Sequence, residues 1–138
     1  MDLLNLQGNE VSLDISSQNN LVYGSPKVGK TTLSYKLFGE KALILAFEQG
    51  FSMIRGCHAV PVNDYKTLQN VMKQLKNPKV KEKYDVLVFD TADLFHLVCE
   101  KYLCAVNGVS SIGEIGSMGA GYQKLDNIIN NILLQIAS

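Results

Sequence analysis

The eight residues Gly24-Ser25-Pro26-Lys27-Val28-Gly29-Lys30-Thr31 fit G-x-x-x-x-G-K-[ST] at every fixed position. This spacing suits the gripping of a phosphate. A loop that wraps one must turn consecutive backbone N–H groups inward, and Gly24 and Gly29 allow the backbone angles and the close approach. Lys30 is expected to reach the β- and γ-phosphates, and the Thr31 hydroxyl to ligate Mg²⁺. The helix that follows adds positive partial charge at its first amides. Ser25, Pro26, Lys27, Val28 and Thr32 complete the nucleotide-binding set. The competing reading, a surface turn rich in Gly and Lys, yields to context: the apolar run Leu21-Val22-Tyr23 reads as a buried strand before the loop, and a helical run follows it.

Two acids extend the chemistry. Val86-Leu87-Val88-Phe89-Asp90 is four apolar residues and then an aspartate, the pattern that holds a hydrated Mg²⁺ from the end of a strand. Thr91 follows as a hydrogen-bonding partner for the metal's water. Asp90 is read as metal-linked and not as a helix cap, because Asp93 is better placed to cap. Hydrolysis also needs a group that positions or deprotonates water. Glu48 lies just past the run Ala42–Phe47, and ligands of doubly wound sheets gather outside the carboxyl ends of strands. Lys30 and Glu48 are therefore the predicted catalytic pair, and Thr31 and Asp90 the predicted metal pair.

These residues must be positioned by alternating strands and helices. Leu4 to Ile15 alternates as a short hairpin about the turn Gln7–Glu10, and residues 16–20 are a polar connector. Thr32–Phe38 reads as a helix closed by Gly39, Ala42–Phe47 as a buried strand, Ser52–Arg55 as one helical turn and Ala59–Val62 as a short strand kept at an edge by Pro61. Asn63 or Asp64 caps a helix with the stripe Tyr65, Leu68, Val71, Met72 and Leu75, which Asn77-Pro78 ends. Asp93 opens a helix carrying Leu94, Leu97, Val98 and Leu103. Residues 107–121 read as a long loop. The stripe Tyr122, Leu125, Ile128, Ile129, Ile132, Leu133 and Ile136 gives a last helix. The sum is an α/β fold with a mostly parallel sheet. A hairpin and connector occupy 1–19, and the core occupies 20–138.

Composition narrows the function classes. The chain has 138 residues, 46% of them hydrophobic and 19% charged, which excludes a wholly disordered protein. Thirteen cations balance thirteen carboxylates, so no long-range basic field steers a polyanion. No apolar run approaches the roughly 18 residues of a membrane span. The N-terminus, acidic at position 2, does not read as a signal peptide. Three cysteines (Cys57, Cys99 and Cys104) are too sparse for a disulfide framework and suit a reducing, cytosolic compartment. Cys57 and His58 read as buried structural residues, and no zinc pattern is present.

The run Tyr23 to Leu33 is similar to the loop Y-G-x-P-K-x-G-K-T-T of RecA-like AAA ATPases found in phage genomes. The resemblance continues through Leu45–Gly50, Tyr84–Thr91 and Gly119-Ala120-Gly121-Tyr122, and covers residues 20–138. It implies a P-loop NTPase built as a RecA-like three-layer sandwich, with ATP and Mg²⁺ as cofactors and Glu48 activating water. It further implies a part in phage DNA recombination, annealing or replication, inside a bacterial host cell, with single-stranded DNA and further copies of the chain as partners. RecA-like sheets have the order 5-1-4-3-2, and no buried strand follows Asp90 here. The expectation is therefore an incomplete core. Three explanations stay open: a longer protein continues it, the strands before the loop and before Asp90 pair directly, or another chain supplies the missing strand.

Arg55 is the only arginine and reads as a surface residue, which argues against a small-molecule kinase, whose phosphates are commonly clamped by several arginines. The guanine-reading N-K-x-D pattern is missing, which argues against a GTPase. A non-catalytic nucleotide-binding fragment remains the alternative. Lys73, Lys76, Lys79, Lys81 and Lys83 cluster, but a solvated helix face accounts for them as well as a nucleic-acid contact does. The loop 107–121 carries Glu114 and no Lys or Arg, so it gives no support for DNA binding.

Overall fold

A computed structural model describes residues 14–48 and 54–137. The predicted hairpin therefore falls almost wholly outside the described residues, as does half of the predicted turn at 52–55. Ile15, its last predicted strand residue, sits instead in a 3-10 turn, Ile15–Ser17, capped by the Asp14 carboxylate.

The order of elements is α1 (Lys30–Phe38), β1 (Ala42–Ala46), β2 (His58–Pro61), α2 (Tyr65–Leu75), α3 (Pro78–Lys83), β3 (Val86–Asp90), α4 (Ala92–Asn107) and α5 (Ala120–Ala137). The three strands form one parallel sheet in the order β2-β1-β3. Ala42-Leu43-Ile44-Leu45-Ala46 is apolar at every position because β1 is the central strand and is buried on both faces. Leu43 and Leu45 face a cluster that includes Leu68, Phe95, Cys99 and Leu125 from α2, α4 and α5. Ile44 points the other way, and α1 lies on β1 and β3. The predicted edge position of the Pro61 strand is found in β2.

Several expectations need correction. Leu21-Val22-Tyr23 is not a buried strand: it is irregular backbone, and Leu21 and Tyr23 are almost fully exposed. The run joins no ladder, and its exposure leaves its backbone groups to water. It does not pair with β3, whose outer edge has no strand partner among the described residues and which is only half-buried. No strand follows β3 among the described residues. Asn77-Pro78 ends α2 but also starts a helix: the Asn77 side chain accepts from the Lys79 amide at 3.0 Å, and Pro78 takes the first position of α3, where its missing N–H costs nothing.

The N-cap of α2 is Asp64, which accepts from the Thr67 amide at 2.7 Å. The N-cap of α4 is Thr91 and not Asp93, which lies in the first turn. The buried side of α4 is Phe95, Cys99 and Leu103; of the expected stripe only Leu103 is in the core. In α5, Leu125 and Ile132 are buried, whereas Tyr122 and Leu133 are exposed. Cys57 and His58 are half-buried, not buried. The loop between α4 and α5 contains a 3-10 turn, Ile112–Glu114, that buries Ile112 and Ile115 against the start of α5.

Candidate functional site

Gly24 to Gly29 forms a tight loop in front of α1. Gly29 caps α1 at φ +99°, a left-handed conformation that glycine adopts without strain, and its carbonyl accepts from the Leu33 amide at 2.8 Å. A Cβ on Gly24 would stand 3.0 Å from a Val28 methyl, a tight contact that the glycine avoids where the loop closes on itself. Lys30 folds back over the loop, where its ammonium donates to the carbonyls of Gly24 at 2.9 Å and Ser25 at 3.0 Å. Pro26 and Lys27 form the turn at its tip, exposed like Ser25 and Val28, and Thr32 is exposed on the first turn of α1.

The sheet brings Asp90 to this loop. β3 delivers it at its last position, in register with Ala46, and the Thr31 hydroxyl donates to an Asp90 carboxylate oxygen at 2.5 Å. The Asp90 carbonyl accepts from the amides of Phe47 at 2.8 Å and Glu48 at 3.3 Å. Glu48 therefore lies at the same sheet edge as Asp90, and it is exposed to solvent. The peptide between Asp90 and Thr91 is cis. Thr91 donates its hydroxyl to Asp93, and this bond, with a smaller contribution from the positive charge of Lys30, holds the Asp93 carboxyl below the ordinary carboxylate value.

Lys30, Thr31 and Asp90 thus converge in space from two distant parts of the chain, and Glu48 joins them through its backbone. The Thr91–Asp93 pair beside them was read from sequence as two separate roles, a water contact and a helix cap. Its signal was the i, i+2 spacing of a hydroxyl and a carboxylate, a local pairing that competes with capping. No group of three or more His, Cys, Asp or Glu side chains capable of holding a metal occurs among the described residues. No helix among them is long and apolar enough to cross a membrane.

Comparison with curated proteins and with solved structures returns no match. The family model for the AAA domain matches residues 16–138, from the polar connector through the Gly24–Thr31 segment, the Asp90 strand and the last helix. With nearly the whole sequence inside that match, the chain belongs to the AAA domain family of nucleotide-binding, ATPase-type proteins.

Proposed function

We infer that this chain is a RecA-like ATP-binding module that hydrolyses ATP with Mg²⁺. The observation that carries the reading is the convergence of Lys30, Thr31 and Asp90 on one glycine-bounded loop. Lys30 is held over that loop by two carbonyls, and a triphosphate oxygen is a stronger partner for its ammonium than either. Thr31 and Asp90 are hard oxygen donors already in contact, a donor set that fits Mg²⁺. ATP with its metal would supply the phosphoryl group and the charge neutralisation for its transfer.

The chain's own residues do the rest. The loop amides and Lys30 bind and orient the phosphates. Thr31 and Asp90 fix the metal end of the site. Glu48, exposed at the end of β1, orients a water and takes its proton. Arg55, the lone arginine, is exposed and lies beyond the segment after Glu48, so a charge-neutralising finger is expected from a second copy. The resemblance to phage RecA-like ATPases supports extending the reading to a homo-oligomer, or to part of a longer ATPase, acting on single-stranded DNA in recombination, annealing or replication. The exposed lysines Lys73, Lys76, Lys79, Lys81 and Lys83 are the candidate backbone contacts.

The test is ATP titration with and without Mg²⁺, followed by turnover with and without single-stranded DNA. Mg²⁺-dependent binding with DNA-stimulated phosphate release is the expected result. Binding without turnover under either condition favours a non-catalytic nucleotide-binding module, and no binding defeats both readings.

A further inference from the structure

Phe47 and Val62 directly follow the carboxyl ends of β1 and β2, and beside them a cleft of about 440 Å³ opens between α2 and α4. Its α4 wall is Leu94, Leu97 and Val98, then Lys101 and Tyr102 one turn further on. These are the apolar residues that the core does not take. Leu97 keeps 37% and Tyr102 36% of its surface exposed, so part of each borders open space. Tyr65 of α2 stacks on Tyr102 with ring centroids 3.8 Å apart and planes 13° from parallel, giving the cleft a flat aromatic wall.

The charge at the rim is unbalanced. Lys66 and Lys101 face one carboxylate, Asp64, and that carboxylate is engaged in capping α2 at the Thr67 amide. Lys66 helps to hold the Asp64 carboxyl below the ordinary carboxylate value, but neither lysine forms an ion pair within 4 Å among the described residues. An apolar floor, a flat wall and surplus positive charge select for a ligand with the complementary parts. The volume lies within the roughly 300–1,000 Å³ of small-molecule sites. None of residues 24–32 lines the cleft, so it is a place apart from the phosphate loop.

We propose that the cleft between α2 and α4 binds a small organic anion, its flat apolar body against Leu97 and the Tyr65–Tyr102 pair and its carboxylate, sulfonate or phosphate at Lys66 and Lys101. The chain contains no tryptophan, so an extrinsic fluorophore reports without interference. The probes are 8-anilinonaphthalene-1-sulfonate and N-phenyl-1-naphthylamine, which share their rings but differ in the sulfonate. The sulfonate is expected to bind at one site per chain, with amide NMR shifts centred on residues 64–66 and 94–102. The double variant Lys66→Ala/Lys101→Ala is expected to weaken it roughly tenfold, the worth of two exposed charge contacts, while the neutral probe is unaffected.

Leu97→Glu, at an exposed position where folding is spared, is expected to abolish both signals. Lys30→Ala is expected to leave both intact, which separates failure of this site from failure of the nucleotide site. Competition by 2-naphthoate alone identifies a free aromatic acid as the ligand type, and competition by AMP identifies a nucleotide; either supports the site. The proposal is overturned if neither competes, if the lysine variant leaves the sulfonate affinity unchanged, if the shifts lie elsewhere, or if self-association of the chain covers the cleft.

Discussion

The Thr31 hydroxyl and an Asp90 carboxylate oxygen lie 2.5 Å apart although 59 positions separate them in the chain. One residue lies in the first turn of α1 and the other ends β3, so this single bond fastens the end of the Gly24–Gly29 loop to the sheet. Under the proposed function these are the two oxygens that would hold the metal of bound ATP. Asp90→Asn keeps the size and removes the charge. It is expected to lower affinity for ATP in the presence of Mg²⁺ by about tenfold or more while leaving metal-free binding nearly unchanged, since a charged hydrogen-bond partner contributes about 1.5–3 kcal/mol. Calorimetric titration with Mg²⁺ and with EDTA measures the difference.

Glu48 carries a different burden. It is exposed, and only its backbone is tied to Asp90. Glu48→Gln is therefore expected to fold normally and to bind ATP as tightly as the parent. Its turnover number is expected to fall by about 10²–10⁴, the usual contribution of a general base. Phosphate-release kinetics beside a binding isotherm separate the two effects.

Cys99 is fully buried, and burial pushes its thiol up to about 11 from the ordinary 9.0. The sign follows from proton binding: between these values the folded chain keeps a proton that the unfolded chain has lost, so stability falls as pH rises through that window. Chemical denaturation from pH 8 to 11 is expected to show a decline that Cys99→Ala reduces, on top of a pH-independent packing loss; the remaining decline includes Tyr65, whose hydroxyl burial also pushes up. Under native conditions a thiol reagent is expected to modify the half-buried Cys57 and Cys104 and to spare Cys99.

Gly121 tests the packing of the loop between α4 and α5. A Cβ there would lie 2.1 Å from the Ile112 carbonyl oxygen and 3.0 Å from the Ile115 Cβ. The nearest obstacle is backbone, so it cannot swing aside. Gly121→Ala is expected to cost about 1–3 kcal/mol despite the better helix propensity of alanine, read from urea denaturation.

The candidate site was legible in the sequence where the arrangement depends on local spacing. Gly24 and Gly29 bound one loop, Lys30 and Thr31 open the helix after it, and the apolar runs at 42–46 and 86–90 announce strands, the first ending two residues before Glu48 and the second at Asp90. What the sequence left hidden depended on neighbours. Leu21-Val22-Tyr23 has strand composition, yet composition does not make a strand without pairing, and this run pairs with no strand among the described residues. The apolar residues of α4 do not all fall on one face: Phe95 and Cys99 turn toward β1, and Leu94, Leu97 and Val98 turn toward the cleft. Periodicity reports that a helix is amphipathic but not which apolar strip the sheet claims. The short helix after Pro78 was obscured because its lysines look like a linker, although Asn77 and Pro78 together form a start signal.

Lys30 offers the most direct test of the nucleotide site. Its ammonium is bound only to loop carbonyls at a partly exposed position, so Lys30→Ala should preserve the fold, verified by circular dichroism. Isothermal titration with ATP and Mg²⁺ should then show binding weakened roughly 10- to 100-fold, the loss of a charge-assisted contact to phosphate. An unchanged affinity in a folded Lys30→Ala protein would mean that ATP does not sit in the loop from Gly24 to Thr31.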